Sequence, residues 1–170
     1  MSETILNRNL LSSVRFSFHI KKTPNINYFI RTVTIPGLSL PKVVRPSPLK
    51  GIPYAGDHIE YDELNLTFNV NEDLSNYAEL HTWITQLGFP DSYDQYREIE
   101  TKPKYTGQGI YSDAYVMITS SANNPILKIN FTDVFPISLS SIEMDTADTA
   151  ATPISASVSF AYTSYKFETV

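Results

Sequence analysis

Between residues 61 and 87 the hydrophobic period of this chain changes from that of a strand to that of a helix, almost without a gap. Leu64, Leu66, Phe68 and Val70 alternate with Asn65, Thr67 and Asn69, which puts the four apolar side chains on one face of a half-buried strand. Asn71-Glu72-Asp73-Leu74-Ser75 then offers side-chain caps, and negative charge where a helix N-terminus favours it. Leu74, Tyr77, Leu80, Ile84 and Leu87 follow at spacings of three or four, with Ser75, Glu79, Thr82 and Gln86 opposite, and Gly88 and Pro90 stop the run. The expectation is one substantial helix, about residues 74–88, packed on a mostly β chain.

The remaining segments fit that frame. Residues 14–20 alternate, with Val14, Phe16, Phe18 and Ile20 on one side. Thr23-Pro24-Asn25 reads as a turn, and 27–35 as a second strand stopped by Pro36-Gly37. Residues 114–119 and 126–131 read as strands of a hairpin joined by 120–125. Residues 133–136 interrupt the sheet, 137–144 resume it, 145–152 form a polar loop, and 154–167 make a long final strand. Residues 91–109 read as an irregular excursion. With 170 residues, one well-cored domain spanning 1–170 is expected.

Residues 36–56 do not fit a sheet interior. They hold five prolines (36, 41, 46, 48, 53), three glycines, three cations (Lys42, Arg45, Lys50) and no acid. Each proline removes a ladder donor, and so long a connection is unusual inside a compact domain. Yet Leu38, Leu40, Val43, Val44, Leu49, Ile52 and Tyr54 make it too apolar for a disordered linker. The segment reads as an arm that is buried against something outside its own sheet.

Charge is distributed unevenly. Residues 1–50 carry eight Lys and Arg and one acid, whereas 51–170 carry five and seventeen. The net charge of −5 argues against ordinary nucleic-acid binding, where a basic surface neutralises phosphates, and a chain polarised in this way can attract copies of itself. The absence of cysteine excludes disulfides and thiolate chemistry and suits a reducing cytoplasm. No apolar run reaches the length of a spanning helix, and the N-terminus lacks the pattern of a secretory signal.

Catalytic signatures are missing. His19, His58 and His81 are far apart and in no metal-ligand spacing. Gly107-Gln108-Gly109 lacks the following helix of a phosphate loop. Acids cluster at Asp57, Glu60, Asp62 and Glu63, but a hydrolase needs two of them facing one cleft, and solvation or pairing at a strand edge is the simpler reading. The 11 tyrosines leave room for a carbohydrate-binding β-domain. No cofactor and no enzyme activity is implied.

The succession of Gly56-Asp57, Tyr61-Asp62-Glu63-Leu64-Asn65-Leu66-Thr67-Phe68, Asn71-Glu72-Asp73 before a helix with Trp83, Leu127-Lys128-Ile129-Asn130-Phe131, Phe135-Pro136 and an aromatic final strand resembles the tail tube proteins of contractile-tailed bacteriophages. The resemblance runs from about residue 14 to the end and is least clear over 91–111. It implies a mainly β fold, a small β-sandwich or partly closed barrel with one flanking helix. It also implies homohexameric rings whose inner strands join in one β-barrel, stacked into a tube that conducts DNA during ejection without binding it tightly. A tail sheath protein would surround the tube, and baseplate and terminator proteins would sit at its ends. The particle would be a virion tail assembled in the host cytoplasm, with no membrane partner. Residues 36–56 take the place of the loop that reaches the neighbouring ring, with Leu38, Leu40, Lys42, Val43, Val44, Arg45, Leu49, Lys50, Ile52 and Tyr54 as its contact residues. Asp57, Glu60, Asp62, Glu63, Asp113, Asp145 and Asp148 are candidate lumen or interface acids. A baseplate tube initiator, a tail terminator ring and the tube protein of a type VI secretion system share this reading.

Overall fold

A computed structural model describes residues 10–12, 14–88, 92–103, 108–145 and 152–169. Its elements run β1 (Phe16–Ile20), α1 (Pro24–Tyr28), β2 (Ile30–Thr34), β3 (Leu38–Ser39), β4 (Lys42–Arg45), β5 (Ile52–Ala55), β6 (Glu60–Tyr61), β7 (Leu64–Asn69), α2 (Ser75–Gly88), α3 (Asp94–Glu100), β8 (Ser112–Thr119), β9 (Pro125–Leu139), β10 (Ser155–Ala161) and β11 (Ser164–Thr169). The body is a seven-stranded antiparallel sheet of order β1-β8-β9-β10-β7-β2, with β11 also on β9. Two two-stranded ribbons, β3–β6 and β4–β5, stand apart from it.

The long strand β9 organises the sheet. β10 and β11 lie end to end along it, from Val158 opposite Leu139 to Thr169 opposite Leu127. Tyr162 and Thr163 form the break between them, close to Asp133, which has a φ of 56° where the register with β8 shifts. That bulge bends β9, so its first half belongs with β1, β8 and β11 and its second half with β10, β7 and β2. The mainly β reading holds. The expected interruption at 133–136 does not occur. Pro136 stays in the strand because it pairs with Phe160 at a register shift, where a missing N–H donor is tolerated. β9 ends at Leu139, short of the expected 144, and the final strand is two collinear pieces.

Alternation works as expected in the body. Phe18, Ile20, Leu64, Leu66, Phe68, Val116, Ile129, Phe131, Val158 and Phe160 are buried in one core shared by both halves of the sheet. Each such side chain contributes about 1.5–3 kcal/mol. Val14, by contrast, lies outside β1 and is exposed. The strand expected over residues 61–70 is split, because Tyr61 pairs with Leu38 in the small ribbon before β7 begins at Leu64.

α2 closes one side of the core with a stripe one step away from the expected one. Asn76, Leu80 and Trp83 are buried, Tyr77 and Leu87 are half-buried, and Leu74 is exposed with a φ of 57°. Its start is held reciprocally: Asn71 Oδ1 accepts from the Asn76 amide at 3.2 Å and Asn76 Oδ1 from the Asn71 amide at 3.4 Å, while the Asn76 side chain donates to the Asn69 carbonyl at 2.8 Å. Such side-chain caps satisfy donors that the first helical turn leaves free. Two short helices were not foreseen. The expected turn at 23–25 begins α1, with Pro24 in the first turn and Ile26 fully buried, a position where proline's fixed φ and missing N–H suit a helix. The expected irregular stretch contains α3, anchored by buried Ile99.

Candidate assembly surfaces

The arm is a bent two-part ribbon. At its root Leu38 pairs with Tyr61 and Ser39 with Glu60; at its tip Lys42–Arg45 pair with Ile52–Ala55. Residues opposite each other share a face. One face of the tip therefore carries Val43, Arg45, Ile52 and Tyr54, and the other Lys42, Val44, Pro53 and Ala55. Every one of these residues is exposed, as are Leu38, Leu40, Leu49 and Lys50. Val43 is 61 % exposed, Val44 53 % and Leu49 97 %. A hairpin with no third strand and no core is at best marginally stable in water, and a two-sided apolar surface marks a contact with another molecule. Where tip meets root, the Gly56 amide donates to the Pro41 carbonyl at 2.7 Å. A Cβ at Gly56 would collide with that carbonyl, so the close crossing needs glycine.

The arm leaves the body through a cluster of aromatic rings. Tyr61 meets Tyr162 and Tyr165 edge-on at 5.8 and 5.7 Å, and both tyrosines also contact Phe131. The Tyr162 hydroxyl donates to the Asp62 carbonyl at 2.8 Å and that of Tyr165 to the Pro36 carbonyl at 3.2 Å. Burial, with Tyr165, Asp62 and Tyr61 beside it, pushes the Tyr162 hydroxyl up to about 12, so it remains a donor at any ordinary pH.

The seven candidate acids do not form one surface. Asp57, Glu60, Asp62 and Glu63 sit together on or beside the arm's root. His58 stands between two of them, with Nδ1 2.8 Å from Asp57 and Nε2 3.6 Å from Glu60. The hydrogen bond from His58 and one from the backbone hold the Asp57 carboxyl below its usual range. Asp113 lies on the outward face of β8 and pairs with Lys21 at 3.1 Å, with both partners half exposed, an interaction of little energetic weight. Asp145 lies in the exposed stretch after β9, and Asp148 lies outside the described residues. Among the described residues no group of three acids or histidines is placed to hold a metal.

A model of the family described as phage tail tube protein matches residues 5–168. The chain belongs to the phage tail tube protein family. No curated protein sequence matches it, but solved structures share its fold. The cap that terminates the anti-feeding prophage tube superposes with a TM-score of 0.64 at 13 % identity, over 99 % of this chain and 97 % of that one. A chain of the PVC extracellular contractile injection system, from its extended sheath–tube complex, gives 0.58 at 14 % identity, over 96 % and 94 %. Hcp1 from Flavobacterium johnsoniae gives 0.50 at 10 % identity, over 90 % and 94 %.

The phage tail tube family is one of structural tube components. The most polar feature of interest, Lys22, is spent on structure: Nζ donates to the Gly109 carbonyl at 2.5 Å and sits 4.8 Å above the Trp83 ring. Burial, with Lys102 nearby, lowers its pKa to about 8. The residues that sequence reasoning passed over are Tyr162 and Tyr165. They read as the tail of an alternating strand, and only their spacing of three, which breaks a period of two, marks them.

Proposed function

We propose that this chain is the repeating subunit of a hollow tail tube, built as stacked homohexameric rings through which DNA passes during ejection. The observation that carries the reading is the arm: a ribbon with cations and apolar side chains on both faces, projecting from a body that is complete without it. A ribbon of this kind gains stability by docking on a second copy, and a head-to-tail contact that does not close produces a filament. Three cations on the arm against an acidic remainder favour docking in one polarity. Strand edges left open among the described residues, at β1, β2 and β11, supply pairing sites for closing a ring. Acids lining the lumen, drawn from Asp57, Glu60, Asp62, Glu63, Asp113, Asp145 and Asp148, would repel phosphate and let DNA slide. The partners are then further copies, an outer sheath, and baseplate and terminator proteins at the two ends. The particle is a virion tail assembled in the host cytoplasm.

The test is removal of residues 42–55. Because the Gly56 amide already bonds to Pro41, those ends join over a short distance. The shortened protein should fold and give free subunits or single rings in negative-stain electron microscopy, while the full chain gives tubes of uniform diameter. Normal long tubes from the shortened protein would sink the proposal. The likeness to a tube-terminating cap over 99 % of the chain favours a second reading, a ring that ends a tube. That reading predicts isolated rings from the full chain at every concentration.

A further inference from the structure

We infer that Tyr162 and Tyr165 are positioning residues that set the direction of the arm in the free subunit, before any neighbour is met. The inference rests on the proposed docking role of the arm only for its consequence in assembly; the clamp itself is a property of one chain. Residues three apart on a regular strand point to opposite faces. Here the break at 162–163 between β10 and β11 turns both rings to the same side, 6.0 Å apart. Both then reach the arm, and they do so at its two ends. Tyr165 binds the carbonyl of Pro36, two residues before the outgoing strand, and Tyr162 binds that of Asp62, the residue after the returning one. Between these points the Asp62 amide donates to the Gly37 carbonyl at 3.3 Å, and Tyr61 is wedged against both rings. Two strands fixed at both flanks and by a central ring have no free swivel. A preorganised arm also avoids much of the ordering cost that a loose one meets on docking.

Phenylalanine at both positions keeps the rings and removes only the hydroxyl donors. The chain has no cysteine, so Ser47→Cys at the tip and Ser121→Cys on the body accept two nitroxide labels whose separation is read in dilute subunits. A narrow distance distribution is expected with Tyr162 and Tyr165 present, and a broad one in Y162F/Y165F with body thermal unfolding little changed. Hydrogen-exchange protection of the Asp62 amide should fall roughly fivefold in each single variant and on the order of twenty-five-fold in the double, the worth of one and two ordinary hydrogen bonds. Should the double variant fail to fold, the single variants carry the same two readouts. An unchanged distribution with unchanged protection overturns the clamp, and so does a distribution already broad before substitution. A loosened arm whose subunits still build normal tubes would leave the clamp standing and overturn the arm's role between rings. An unaltered arm in Y162F/Y165F, alongside a shortened arm that blocks tubes, would do the reverse.

Discussion

The sheet body and the arm use the same kinds of residue to opposite ends. Leu64, Leu66 and Phe68 in β7 are at most 1 % exposed, whereas Val43, Val44 and Leu49 in the arm are more than half exposed. Hydrophobicity does not separate them; partners do. β7 lies between β10 and β2, with its inward face on the shared core. The tip strands have only each other, and Pro53 denies one of them a ladder donor. The body solves its burial problem within one chain, and the arm does not.

The widest test of that contrast compares one truncation in each region. Phe68→Ala should cost about 3–5 kcal/mol of unfolding free energy, the usual price of an emptied aromatic core site. Val43→Ala should change it by less than about 0.5 kcal/mol, as for a surface position. Urea unfolding of dilute subunits reads both. A Val43→Ala loss comparable to that of Phe68→Ala would mean that the arm belongs to the subunit's own core, and the contrast would fail.

How much of this was legible beforehand follows the same line. Period-two strands with inward Leu, Ile, Val and Phe were readable because each buries its own face, and α2 was readable because its period shifts so abruptly. The arm was readable from its prolines, together with an apolar content that a disordered linker would lack. α3 was not, since a seven-residue helix anchored by Ile99 carries too little periodicity to stand out. β9 was misread at Pro136 because the bulge that accommodates it, with Ile137 as the extra residue, shows only once β9 is set against β10. The tyrosine clamp was hidden for a similar reason. Its geometry depends on a break between β10 and β11 and on carbonyls 100 and 129 residues away in sequence. The grouping of the acids was legible only where they are neighbours in sequence, at 57–63; Asp113 and Asp145 are separated by the topology.

A smaller effect is expected where the two regions meet. Gly56→Ala places a methyl group against the Pro41 carbonyl, a backbone atom that cannot swing aside as a side chain would. The tip must rotate relative to the root, lengthening the Gly56–Pro41 hydrogen bond. The body should keep its stability within about 0.5 kcal/mol. The label separation between residues 47 and 121 should shift to a new, still narrow value, since the root clamp is intact. An unchanged separation would show that the crossing tolerates a side chain and does not set the angle of the tip.

The smallest effect is a dependence on alkaline pH that only the root should show. Tyr162 has its pKa raised from 10.0 to about 12. A group held protonated by folding contributes stability that is fully present below its unfolded value and is lost as pH rises through its folded one. Its window is therefore pH 10 to 12. Lys22 acts in the other direction and lower down: its pKa falls from 10.5 to about 8, so folding is relatively favoured as pH climbs across that interval. Comparing the parent protein with Y162F cancels the lysine, which both retain. The parent's urea midpoint relative to that of Y162F should be constant up to about pH 10 and fall between about pH 10 and about pH 12. In a spectroscopic titration of the folded proteins, one late phenol should be present in the parent and missing from the variant. A midpoint difference that stays constant through the whole window would mean that folding does not shield the Tyr162 hydroxyl from water at the root.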